Sequence, residues 1–351
     1  MKKVFYELLI IFSLVFLLII SSAACVENGV KPAKTFMYKL NADGESYSVI
    51  GMGECERTDI IIPSVYNDKS VTQIGGDAFK DSSVESVEIE NGIKLINSRA
   101  FMNCKSLKKV VVPESVVEIG NQAFFNTPLL AEFVFNAERC NNQTVHNGIF
   151  YKAGNSTEGL VVKIGRNVTQ IPNYMFVPEN VSDDSTSPNI TEIIFDADGV
   201  LENIGMNAFR NLSGITRIDI PQSVVNIGDH AFSGCENVIS LEFADGSKLK
   251  QIGQNSFGNF YKVQQIIFPS GLESIGNDAF YVASSIAGSL ERVYIPNTVN
   301  YVGSCAFYKN PNNSQPVKAY LEADTVPETW DSGWSNFGVE IFTGYRLGQE
   351  I

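Results

Sequence analysis

The stretch Arg217–Cys235, RIDIPQSVVNIGDHAFSGC, is the unit that the rest of the chain repeats. Ile218 and Ile220 alternate with polar neighbours, which is the period of a half-buried strand. Pro221 has no N–H to donate and ends that strand, and Gln222 and Ser223 turn the chain. Val224 and Ile227 point inward again. Gly228 permits a backbone conformation with positive φ, and Ala231 with Phe232 closes the unit with one small and one large apolar group. A unit of this size has one apolar strand face and nothing of its own to cover it. It must stack on copies of itself.

The copies lie in both directions. A repeat phenylalanine stands at Phe79, Phe101, Phe124, Phe176, Phe209, Phe232, Phe257, Phe280 and Phe307, and Phe150 falls midway in the doubled interval between Phe124 and Phe176. The strand recurs as VESVEI (84–89), LKKVVVP (107–113), LAEFVF (130–135), ITEIIF (190–195), VISLEF (238–243), VQQIIFP (263–269) and LERVYIP (290–296). An apolar-glycine step follows at Ile119-Gly120, Ile204-Gly205, Ile227-Gly228, Ile252-Gly253, Ile275-Gly276 and Val302-Gly303. A period in the twenties with an L-x-x-L-x-L core is the signature of a leucine-rich repeat. The expected fold is therefore a leucine-rich-repeat solenoid, β-dominated and of the α/β horseshoe class, with short strands, short helical turns and a cap at each end. About ten turns, each rising ~4.8 Å, give a body on the order of 50 Å long.

The pattern I/V-P-x-x-V-x-x-I-G-x-x-A-F-x-x-C resembles the BspA-type leucine-rich repeat, found in surface and secreted proteins of gut and oral bacteria and in some parasitic protists. The resemblance spans roughly residues 35–345. It weakens between Phe135 and Asn189, where the Ile-Gly step becomes Ile171-Pro172. It implies a non-enzymatic cell-surface protein that adheres to host matrix or to other bacteria, and hence a protein or glycan ligand.

The ends of the chain read differently from its middle. Residues 1–24 have the form of a signal peptide: Lys2 and Lys3 at the basic end, an apolar core from Leu8 to Ile20, and the small residues Ser22, Ala23 and Ala24. Cys25 follows Ala-Ala, which resembles a bacterial lipobox, with Ser22 where that motif usually carries leucine. A lipid on Cys25 is then the expected membrane attachment, on an exported protein of the cell surface or outer envelope. Residues 25–34 are a polar spacer. Residues 35–68 form an N-terminal hairpin cap around Asp43-Gly44, residues 69–310 the repeats, irregular over 136–189, and residues 311–351 a C-terminal cap. In that last segment Trp330, Trp334, Phe337 and Phe342 read either as an aromatic platform for sugar or peptide or as rings that seal the last turn.

The formal charge of −13 argues against nucleic acid as a partner, since an acidic surface repels phosphate. Of six cysteines, Cys104 and Cys235 sit three residues after a repeat phenylalanine and read as buried thiols. Only His146 and His230 could serve as a histidine base, and both read as surface residues, so no catalytic set, cofactor or metal site is expected. Asp196-Ala197-Asp198-Gly199 hints at a calcium loop; its counterpart Ala244-Asp245-Gly246 makes both read as Asp-Gly turns.

Stacking aligns the outward positions of successive strands into columns. The candidate binding face drawn from them is Lys109, Val111, Val134, Ile194, Arg217, Asp219, Ile267, Arg292 and Tyr294. Val111, Val134, Ile194, Ile267 and Tyr294 read as one apolar strip, the kind of patch that marks a contact surface; the competing reading is β propensity alone. A monomer is expected, and an envelope scaffold without an external ligand is the alternative function.

Overall fold

The structure is a computed structural model that describes residues 36–144, 147–177, 187–282, 287–310, 315–336 and 338–346. The signal peptide, the spacer, Cys25, His146 and Phe337 lie outside the described residues. The chain winds as a β-solenoid with three faces, and its core is a single contiguous cluster from Phe36 to Trp334.

The first face carries the longer strands. Asp59–Ile62, Ser86–Ile89, Lys109–Val112, Glu132–Phe135, Leu160–Ile164 and Ile190–Phe195 pair in parallel. Arg217–Ile220 pairs with Ser240–Phe243. Gln265–Ile267, Arg292–Ile295, Val317–Leu321 and Val339–Phe342 form a third group. The ladder thus begins inside the segment read as the N-terminal cap and continues past residue 310 into the segment read as the C-terminal one. The hairpin expected around Asp43-Gly44 is present, with Met37–Leu40 antiparallel to Ser46–Gly51.

The second face is built from two-residue strands at the Ile-Gly steps. From Gln170–Ile171 to Tyr301–Val302 six of them pair in parallel without interruption. Here the reading of Gly228 needs correction. Its φ is not in the left-handed region; it is glycine because a Cβ would sit 2.7 Å from the backbone N of Met206 in the preceding turn. Gly120, Gly205, Gly253, Gly276 and Gly303 are hemmed in the same way. The column lets the turns approach, which is the other use of a missing Cβ.

The third face carries the phenylalanines and corrects a second expectation, because among the described residues there is no helix. The left-handed conformation falls two residues before the phenylalanine, on Asp77, Arg99, Gln122, His230 and Asp278 among others. A left-handed residue cannot continue a right-handed helix, so each segment breaks into successive turns closed by i to i−3 bonds, such as Ala78 N–H to Gly75 O and Lys80 N–H to Asp77 O. The intervening N–H groups donate to the next turn instead: Asp77 to Ser98, Phe79 to Ala100 and Asp81 to Met102. Each main-chain donor from Asp77 to Ser82 is thereby used.

Inside this face the rings form one column. Phe79, Phe101, Phe124, Phe150, Phe176, Phe209, Phe232, Phe257, Phe280 and Phe307 stack in sequence with centroids 5.1–5.7 Å apart. Phe36 meets Phe79 edge-on at 5.8 Å and Trp334 meets Phe307 edge-on at 6.5 Å. Trp334 in turn meets Trp330 at 4.9 Å, whose indole N–H donates to Val299 O. Both tryptophans are buried, so they cover the last ring and present no platform to solvent.

The cysteines complete the packing. Cys104 and Cys235 are fully buried and their thiols donate to the carbonyls of Phe79 and Phe209 one turn back. Burial pushes Cys104 up to about 11 and Cys235 up to about 12, so neither is a thiolate at neutral pH. Cys140 and Cys305 are also free, whereas Cys55 is disulfide-bonded.

Phe232 is fully buried between two rings. Phe232→Ala is expected to destabilise the protein by about 3–5 kcal/mol, measured by chemical denaturation; a change near zero would contradict an interior column.

Candidate binding face

The outward positions of the long strands form the two columns expected, but with different neighbours. Leu160–Ile164 inserts a rung that the sequence reading passed over. Val161 stands between Glu132 and Glu192, and Lys163 between Val134 and Ile194. The strip read as continuous is therefore broken by a lysine, and broken again by Asp219 and Glu242 between Ile194 and Ile267.

The face divides into three zones. At the N-terminal end Val111 and Val134 are adjacent and half-buried, and Lys109 and Lys163 flank Glu132 at 2.9 and 3.1 Å. In the centre Arg217 binds Asp219 at 2.7 Å and Glu242 of the next strand at 2.9 Å. At the C-terminal end Ile267, Tyr294, Tyr320 and Phe342 occupy successive rungs of one column. Tyr294 stacks on Tyr320 at 5.1 Å and Tyr320 on Phe342 at 5.1 Å, and Tyr345 leans on Tyr294 and Tyr320 at 5.3 Å. Ile267 is 45% exposed and Phe342 42%. Ile194 is exposed but isolated by its charged neighbours, and Arg292 is half-buried beside Tyr294.

Tyr320 and Tyr345 were missed by the sequence reading because the repeat period lapses after Phe307, and Phe342 was grouped with the tryptophans instead of with the strand columns. The alternation in VKAYL (317–321) was the available signal.

The chemistry of the remaining candidates is structural. His230 is half-buried, in the left-handed conformation, with its imidazole held below the usual range by burial and then by Arg210. Asp198 pairs with Arg166 at 2.8 Å, and Asp196 accepts the N–H of Asp198, which is the geometry of an Asp turn. Among the described residues no group of three or more His, Cys, Asp or Glu side chains is placed to hold a metal ion.

The profile of the BspA type leucine rich repeat region, in six copies, matches residues 72–197 and 184–314. The chain belongs to the BspA-type leucine-rich repeat family. A leucine-rich repeat protein from Bacteroides ovatus superposes with a TM-score of 0.55 at 21% identity, over 90% of this chain and 77% of that one, and supports the same fold. A leucine rich cell surface protein from Faecalibacterium prausnitzii aligns at 18% identity over 92% of this chain and 95% of that one, with a TM-score of 0.43. The pneumococcal vaccine antigen PcpA aligns at 17% identity over 87% and 97%, with a TM-score of 0.33. No curated protein matches the chain.

Lys109 and, after it, Lys163 hold the Glu132 carboxyl below the usual glutamate range, against an opposing effect of burial. A carboxylate lowered in the folded state adds stability above its unfolded pKa, and that contribution is lost as pH falls through the folded value. Glu132→Gln is expected to lower stability at neutral pH by less than about 1 kcal/mol, because the pair is solvent-screened. The difference should vanish in acid, as read from denaturation midpoints at both pH values; an equal deficit at both would contradict the ion pairing.

Proposed function

We infer that this is a non-enzymatic protein of the bacterial cell surface that binds a macromolecule through its long-strand face, in the manner of an adhesin. The observation that carries the reading is the column that begins at exposed Ile267 and ends at exposed Phe342, with Tyr294 and Tyr345 half-buried between them and Tyr320 buried beneath. Aromatic side chains on a rigid base lose little entropy on contact and are enriched among residues that dominate binding energy. The column favours protein over glycan. The planes of Tyr294, Tyr320 and Phe342 lie 14° and 19° apart, so ring faces are spent on one another and edges and hydroxyls are left for the partner. A sugar stacks on an open ring face.

Export and surface display rest on the leader and on the cell-surface description of the Faecalibacterium protein. Anchoring by a lipid on Cys25 is part of the proposal and competes for that sulfur with a disulfide to Cys55, whose own sulfur is bonded; a mature N-terminus without the lipid mass would remove it.

Replacing Ile267, Tyr294 and Phe342 together with serine is expected to abolish binding to matrix proteins or bacterial cells, with the melting temperature little changed. Val111 and Val134 replaced likewise should have a smaller effect. Unchanged adhesion in the first variant would favour the envelope-scaffold alternative, which surface labelling of intact cells then distinguishes.

A further inference from the structure

The C-terminal zone of the long-strand face holds a small pocket of about 60 Å³, lined by Ile267, Tyr294, Pro296, Tyr320, Glu322 and Tyr345 among others. Its parts come from successive turns. Pro296 ends the strand Arg292–Ile295 as proline does in the regular repeats. Ile295 pairs with Leu321, so the register sets Glu322 at the place of that proline in the next turn. Gly344, at a φ of 72°, turns the chain after Phe342, and the Tyr345 N–H bonds to Leu321 O. That turn brings the Tyr345 ring back onto Tyr294 and Tyr320, inclined to them at 47° and 55°.

The polar atoms of the pocket are mostly acceptors. Burial raises the Tyr294 hydroxyl above the usual tyrosine range, with Arg292 opposing and the Tyr345 and Tyr320 hydroxyls adding to the rise. The three phenol oxygens are therefore near enough to act on one another, and each carries lone pairs. Glu322 supplies the formal charge. Its Oε2 accepts the Asn297 N–H at 3.2 Å, which positions the carboxylate. Among the described residues no cation pairs with it: Arg346 pairs with Asp324 and donates to the main-chain oxygens of Glu322 and Tyr345. The other zones differ, since Glu132 is held by Lys109 and Lys163, and Asp219 and Glu242 by Arg217. Arg292 and Lys318 share a rung four residues back along their strands, ~13 Å from Pro296 and Glu322.

We propose that the pocket between Tyr294, Tyr345 and Glu322 takes a lysine side chain of the protein that this face binds. Its apolar stem lies along Ile267 and Pro296 while its charge reaches the polar end. The ammonium has three N–H donors and no acceptor, which matches a carboxylate among phenol oxygens. A volume of about 60 Å³ is room for about two waters, enough for the end of one unbranched side chain and too little for a sugar ring. A guanidinium is wider and asks for two parallel acceptors, whereas one Glu322 oxygen is already engaged by Asn297. Charge complementarity acts at long range as well, because a formal charge of −13 draws a basic partner. The inference deepens the reading of this face as a protein-binding surface and rests on it.

The probes are N-acetyl-lysine amide, its Nε-acetylated form, N-acetyl-norleucine amide and N-acetyl-arginine amide. Each is titrated into the whole protein while the backbone amide shifts of Tyr294, Tyr320, Glu322 and Tyr345 are followed by NMR. The lysine probe is expected to saturate these shifts, and the others to bind about tenfold more weakly or not at all, the loss expected when a charge-assisted hydrogen bond is removed or misfitted. Glu322→Gln keeps the shape and removes the charge, so it should weaken the lysine probe about tenfold with the melting temperature little changed. Glu340→Gln removes an exposed carboxylate of the same zone outside the pocket and should leave the affinity unchanged. The proposal is overturned if the lysine probe does not bind, if any other probe binds as tightly, if Glu322→Gln retains affinity, or if Glu340→Gln costs as much. An absence of lysine binding with adhesion still sensitive to the Ile267, Tyr294 and Phe342 substitutions sinks the pocket alone. Lysine binding with adhesion insensitive to those substitutions sinks the wider reading of the face and the protein partner with it.

Discussion

The stacking of ten phenylalanine rings in one column sets the geometry of everything else. Rings at 5.1–5.7 Å match the spacing of about 4.8 Å between paired strands closely enough that one rise serves both the ring column and the strand ladders. Offset stacking contributes about 0.5–1.5 kcal/mol per pair beyond burial, and burial of each ring contributes roughly 1.5–3 kcal/mol. No single turn can realise either term. Stability is therefore shared between neighbours, and the two ends need covers of their own, which Phe36 and Trp334 supply edge-on.

The other recurring residues follow from that rise. Glycine at the Ile-Gly step is demanded by the backbone of the previous turn, 2.7 Å from where the Cβ of residue 228 would be. The buried cysteines three residues after the phenylalanine fit because a thiol fills a small space and still donates to the carbonyl of the ring below. Where the rise is not kept on all three faces, after the Asp-Gly loops, the strand ladder opens while the ring column does not. The strongest packing therefore lies away from the long-strand face, which leaves that face free to vary in charge, aromatic content and pairing. Binding surfaces are commonly divided from their scaffolds in this way.

Most of the fold is legible in RIDIPQSVVNIGDHAFSGC, because strand period, proline stop and Ala-Phe closure each mark a distinct packing need. Even Phe150, inside the irregular region, is found by interval alone. Leu160–Ile164 is not, because its place is fixed by pairing with Glu132–Phe135 and not by a motif of its own. That omission is why Val134 and Ile194 looked adjacent and Lys163 was unseen. The role of Gly228 was misread because residue type reveals tolerance for an unusual φ and close approach equally, and only coordinates separate them. Helical turns were expected because left-handed residues such as Arg99 and Gln122 carry no sequence mark, unlike the asparagines at the same place. The aromatic column at Tyr320 and Phe342 lay beyond the last regular repeat, and the breaks in strand pairing after Phe195 and Phe243 cannot be read from side chains at all.

If turns are held only by their neighbours, one whole turn can be removed. Deleting residues 215–237 brings Phe209 against Phe257 and joins two equivalent points of the spiral. Circular dichroism and denaturant titration of that shortened chain should show a folded β-protein with a single cooperative transition. Deleting half of the same segment should give an unfolded or aggregated chain. A whole-turn deletion that fails to fold, or a half-turn deletion that folds as well, would contradict the shared column.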